Sequence, residues 1–146
     1  MTTNFDDGYR REEITKTFTP QWEKPSYKEE EEEITRTAHA LGISVKLIAN
    51  AFEKAGLEEL NDAVWSAMKN CDSREGGWTI ERVKQHLQGS RDVEWLEKII
   101  KGNKSLDAAG VLFRSNERPY LMWGNSRLLV CRVTNVHPQI VAVRLG

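Results

Sequence analysis

A chain of 146 residues suits one domain with a small appendage, and is long enough to bury a real core. Its 39% hydrophobic and 29% charged residues describe a soluble globular protein, and no apolar run approaches the ~18 residues needed to span a membrane. The formal charge of −1 hides an uneven distribution: residues 1–33 hold ten acids against five bases, residues 34–109 hold eleven of each, and residues 110–146 hold five arginines against Glu117 alone.

Residues 1–28 lack hydrophobic periodicity and mix charge with Pro20 and Pro25, which reads as an extended arm without a core of its own, flexible or docked on a partner. Phe5, Tyr9, Phe18, Trp22 and Tyr27 are too many aromatics for a purely solvating tail and give the arm anchors for its own domain or for a protein partner. Its first residues lack the basic and apolar regions of a signal peptide. Residues 29–90 read as a helical region. The run Glu29–Glu33 opens a first helix, continued from Ile34 to Leu41 and stopped at Gly42. Ser44 caps a second, with Val45, Ile48, Ala51 and Phe52 on one face and Gly56 at its end. A third is expected over Leu57–Lys69, with Leu57, Leu60, Val64, Trp65 and Met68 on one stripe. After the loop Cys71–Gly77, Thr79 caps a fourth helix (Ile80, Val83, Leu87) that stops at Gly89, and Asp92 begins a fifth that ends at Gly102.

The pattern then changes. Ala108–Arg114 and Pro119–Trp123 read as two strands of a hairpin around the polar turn Ser115–Glu117. A tight turn, Gly124–Ser126, leads to a helix opening at Arg127, and a last strand covers Gln139–Leu145. The fold class is α+β: a helical N-terminal extension, then a small sheet with one helix between its last two strands.

Two isolated cysteines, Cys71 and Cys131, predict no disulfide and a reducing, cytoplasmic setting. His39, His86 and His137 are too scattered for metal-ligand spacing, so no metal site is predicted. The chemistry concentrates at Trp123–Arg127. Strand, glycine and helix start in succession bind anions, because the first helical amides lack intrahelical partners and the dipole adds positive charge there. Gly124 lets the backbone approach closely, and Arg127 adds a forked donor for phosphate or carboxylate. The candidate nucleotide- or phosphate-binding residues are Gly124, Asn125, Ser126 and Arg127, with Arg132 assisting. Trp65, Trp78, Trp95 and Trp123 mostly fall at core spacing, with stacking on a base as the alternative for Trp123 beside Gly124. In the competing structural reading Gly124 serves only the turn, Arg127 makes a salt bridge, and the arginines cap and border the sheet. Cys131, on an apolar stretch, reads as core rather than nucleophile.

The segment Tyr120–Val136, followed by Gln139–Val143, resembles the core of the ParB/sulfiredoxin-like superfamily, in which a strand ends in glycine, two variable residues and arginine, then a short helix and a branched strand. Gly124-Asn-Ser-Arg127 matches that box, Arg132 falls on the helix, and Asn135 stands where the family ends its helix with glycine. Asparagine is the next best residue at left-handed dihedrals. With Trp95–Gly102 and Val111–Phe113 as the preceding helix and strand, the resemblance covers about residues 91–146. It implies a ParB/sulfiredoxin-like core whose box binds nucleotide phosphates, ATP or CTP with Mg²⁺, and it leaves phosphotransfer or nuclease chemistry open. Asn125 stands where sulfiredoxins need cysteine, which sets sulfinic-acid reduction aside. A compact chain with one box and an acidic arm also fits an accessory protein of a phage or mobile element.

A second pattern has a different use. Ala38, Gly42 and Ile48 have helix-turn-helix spacing, which would present Ser44, Lys46 and Asn50 to DNA. The glutamate run just upstream opposes phosphate binding there, so an ordinary packed pair is the competing reading. The alternative to a nucleotide binder is therefore a non-catalytic interaction protein, holding a protein partner through residues 1–28 or DNA through this pair.

Overall fold

Ser26 fixes where the helices begin. Its hydroxyl accepts from the Glu29 amide at 3.2 Å while the Glu29 carboxylate accepts from the Ser26 amide at 2.9 Å, a reciprocal capping box. The computed structural model describes residues 20–87 and 105–145. Helix α1 (Tyr27–Leu41) starts inside the stretch expected to be an arm and ends at Gly42, left-handed at φ 66°. Helix α2 (Val45–Lys54) follows, capped by Ser44 as expected.

The arm expectation is corrected only in part for residues 20–28, which take one of the two anchorages expected of it, on their own domain. Strand β1 (Gln21–Glu23) pairs in parallel with β3 (Ser105–Asp107). Pro25 is buried, and Trp22 packs against both halves of the core. Lys24 closes the far end of α2: its Nζ donates to Phe52 O at 2.6 Å and to Ala55 O at 2.8 Å. Aromatic anchors without periodicity gave no sign of a strand whose partner lies far along the chain. The expected arm residues Phe5, Tyr9 and Phe18, the fourth helix's expected stop at Gly89 and the expected fifth helix from Asp92 to Gly102 lie outside the described residues.

The expected third helix is also corrected. Leu57–Glu59 is a strand, β2, and only Asp62–Ala67 is helical (α3), capped by Asn61 accepting from Val64 at 2.8 Å. Leu57 and Leu60 fit either reading over so short a run. What decides is an antiparallel partner from the chain's end, β6 (Gln139–Arg144), with Leu57 opposite Val141 and a forked ion pair between Glu58 and Arg144. Helix α4 (Ile80–His86) begins after Thr79 as expected.

The main sheet has the order β2-β6-β4-β5. Strands β4 (Ala109–Phe113) and β5 (Tyr120–Trp123) form the expected antiparallel hairpin, and β6 runs parallel to β4 on its other side. Helix α5 (Asn125–Thr134) makes the crossover. Both faces of the sheet are covered, so its inner strands are continuous apolar runs. On one face lie Ile34, Ala38, Ile48 and Phe52 of α1 and α2. On the other lie Leu128, Leu129 and Cys131 of α5 with Trp65 and Val83. The fold is thus mixed α+β, and β2 from the helical region completes the same sheet as the C-terminal strands.

Gly110 leaves the space Trp123 fills. A Cβ there would lie 2.5 Å from the indole Cζ2 and Cζ3. The ring packs beside Phe52, and its Nε1 donates to Ala108 O at 2.9 Å. Trp123 is 5% exposed, so it is a core residue rather than a platform for a base.

Candidate functional site

Strand β5 is held on its outer side by Lys69 and Asn70: the Lys69 backbone bridges Tyr120 in parallel, its amide donating to Pro119 O at 2.6 Å, and the Asn70 side chain continues the pairing. Asn70, left-handed at φ 55°, donates to Leu121 O at 3.1 Å and accepts from Leu121 N at 3.2 Å. The strand therefore reaches Gly124 in a fixed position. Gly124 adopts φ 98° and ψ 17°, and the chain turns into α5 at Asn125, so Asn125 and Ser126 belong to the first helical turn instead of preceding it. One left-handed residue suffices to redirect the chain, which is why the expected three-residue turn contracts to one. Gly124 also packs tightly on the central strand, where a Cβ would meet Ala109 Cβ at 2.5 Å and Ala109 Cα at 2.7 Å.

The start of α5 differs from those of α1 to α4. Each of those is capped by a side chain, from Ser26, Ser44, Asn61 and Thr79, whereas Gly124 offers none. The amides of Asn125, Ser126 and Arg127 are the N1 to N3 donors. In front of them opens a cavity of about 280 Å³, lined by Ser126, Arg127, Asn70 and Glu33 with the end of β5. The Asn125 side chain is occupied elsewhere, its Oδ1 accepting from Asp72 N at 3.2 Å and tying the loop Cys71–Gly77 to the helix.

Four of the five expected residues are together: Gly124, Asn125, Ser126 and Arg127 all line the cavity. Arg132 does not. Its Nε donates to Ser73 O at 2.9 Å and its guanidinium lies over Trp65 at 4.1 Å. Five residues along a helix turn a side chain well away from the first. Asn135 ends the helix at φ 58° and ψ 42°, the left-handed geometry for which asparagine substitutes for glycine. Cys131 is buried and its thiol is driven up by burial, so it serves as core. Cys71 is likewise buried and raised, with Sγ 2.7 Å from Ser73 Oγ.

The charges around Arg127 come from elements distant in sequence. Glu30 on α1 and Asp107 on β3 both lie within its electrostatic reach. Burial pushes both carboxyls up, Arg127 pulls them back, and neighbouring acids, including Glu33 for Glu30 and Glu29 for Asp107, push further. Nothing in the local sequence marks Glu30, Asp107 or Asn70 as neighbours of the box. Among the described residues, no group of three His, Cys, Asp or Glu side chains is arranged to hold a metal ion, and no helix is long and apolar enough to cross a membrane.

The raised acids give a pH prediction. An acid raised by folding binds its proton more tightly folded than unfolded, so its contribution to stability grows as pH falls through that interval. Asp107→Asn removes the ionised form's cost, which is modest for a half-buried group. It should raise Tm by about 1–2 °C at pH 7, and the gain should vanish as pH falls into the ordinary carboxylate range. Thermal unfolding of both proteins from pH 7 to 4 tests this; a variant less stable than the parent at pH 7 would show that pairing with Arg127 dominates instead.

Comparison of the chain with protein-family models, with curated proteins and with solved structures finds no match.

Proposed function

We propose that the cavity at the start of α5 binds a phosphate-bearing small molecule, held by the amides of Asn125, Ser126 and Arg127, the Ser126 hydroxyl and the Arg127 guanidinium. The observation that carries this reading is a ten-residue helix whose N-terminus has no side-chain cap and opens on a cavity of about 280 Å³. That volume holds a phosphate group and part of what it is attached to, with the remainder outside. The order β5, Gly124, α5, β6 supports the resemblance to the ParB/sulfiredoxin-like superfamily, which makes a nucleotide, ATP or CTP with Mg²⁺, the ligand to try first. Phosphotransfer or nuclease chemistry would require an acid or base at the transferred group. Two buried free thiols fit a reducing, cytoplasmic setting.

The acids beside Arg127 favour one second reading, in which Arg127 ties α1 to β3 and holds no ligand. Thermal-shift measurements with ATP, CTP, GTP, their diphosphates and phosphate, with and without Mg²⁺, separate the two. A ligand at a hundred times its Kd should stabilise by about 2.7 kcal/mol. Ser126→Glu is the decisive variant. A carboxylate in the first turn satisfies the dipole, so the free protein should keep its Tm while the ligand-induced shift disappears. No shift with any ligand in the parent protein would leave the structural reading of Arg127 and the interaction alternative, for which α2 exposes Lys46 and Asn50.

A further inference from the structure

Arg132 is held in place without being neutralised. Its Nε donates to Ser73 O at 2.9 Å, and its Cζ lies over the Trp65 ring, 4.1 Å from the ring centre. Trp65 is pinned in turn, donating from Nε1 to the buried Ser73 hydroxyl at 3.1 Å. Arg36, Arg114 and Arg144 each meet a glutamate. Arg132 meets no acid, and its Nη end bonds to no other group, among the described residues. Arg132 lines a second cavity, of about 230 Å³, between α3 and the end of α5, with Trp65, Asn135, His137 and Asp62 in the same wall. Immobilising a guanidinium in advance removes most of the entropy that recognition of an oxyanion would otherwise cost.

We propose that this second cavity binds the carboxylate of a small organic acid, with the Arg132 Nη fork as its donor and His137 beside it. A planar carboxylate accepts two parallel bonds from such a fork. Asp62 and the C-terminal end of α5 both oppose negative charge, which selects a monoanionic carboxylate over a phosphate. The site is separate from the one at Gly124, so the two stand or fall independently.

The test is an NMR titration of ¹⁵N-labelled protein with acetate, and separately with inorganic phosphate, at constant ionic strength. Acetate should move the Arg132 Nε–H and Trp65 Nε1–H resonances and saturate in the millimolar range, leaving the amides of Asn125, Ser126 and Arg127 in place. Phosphate should bind several-fold more weakly. Arg132→Lys keeps the charge but loses the fork and should weaken acetate about tenfold, whereas Asp62→Asn should tighten it about two- to threefold. No movement by about 50 mM acetate, or an affinity unchanged in Arg132→Lys, overturns the proposal. If Arg132→Lys does not fold, the exposed Asp62→Asn decides: acetate affinity unaltered there, or phosphate binding as tightly as acetate, overturns it equally.

Discussion

Gly124→Ala will lower the free energy of unfolding by about 2–5 kcal/mol, measured by urea denaturation. Two costs add. At φ 98° an L side chain is strained, by about 1–2 kcal/mol. Its Cβ would also strike Ala109, including the backbone Cα at 2.7 Å. Ala109 lies on β4, which is paired to β5 on one side and β6 on the other, so the strand cannot retreat without disturbing two ladders. Overpacking of this kind costs about 1–3 kcal/mol. Gly124→Asn separates the terms. Asparagine tolerates left-handed dihedrals but carries the same Cβ, so it should recover little; near-complete recovery would mean that dihedral strain alone sets the requirement. Whatever the cavity binds, this glycine is required by the fold, and loss of ligand in a Gly124 variant would prove nothing about the ligand.

Lys24→Met should cost about 2–3 kcal/mol, an effect out of proportion to a lysine in a stretch whose sequence reads as an arm. The ammonium is a second donor to Phe52 O at 2.6 Å, which also accepts from the Ala55 amide at 3.0 Å, donates to Ala55 O just past the helix end at 2.8 Å, and sits 4.5 Å from the centre of the Phe52 ring. A positive charge there also complements the helix dipole. Methionine keeps the apolar stem and removes the donors, so a fall in the urea midpoint with an unchanged m-value isolates the polar contribution. A change below about 0.5 kcal/mol would mean that water replaces the ammonium at those carbonyls. The same contacts bear on any test of partner docking. Deleting residues 1–28 removes β1, Lys24 and the Ser26 cap together, so lost binding would be confounded with lost stability.

Local physics made much of this protein readable in advance. Ser44 and Thr79 announced their helices because a hydroxyl before an apolar-periodic run satisfies a free amide, and Gly42 announced a helix end because few residues accept left-handed dihedrals. The hairpin of β4 and β5 was legible from two apolar runs around a polar turn, and the turn at Gly124 from a glycine between a strand and a helix start. Each of these signals acts over a few residues, so the sequence by itself determined them. Where the outcome depended on a distant partner, it did not. Leu57–Glu59 becomes a strand because β6 supplies its ladder, and Gln21–Glu23 because β3 does. Arg132 is separated from Arg127 by the pitch of α5 and captured by Trp65 and Ser73. Glu30 and Asp107 come to stand beside the box from α1 and β3. Backbone pairing and burial are settled only when the chain closes on itself, and the acids within reach of Arg127 were therefore decided by the tertiary structure alone.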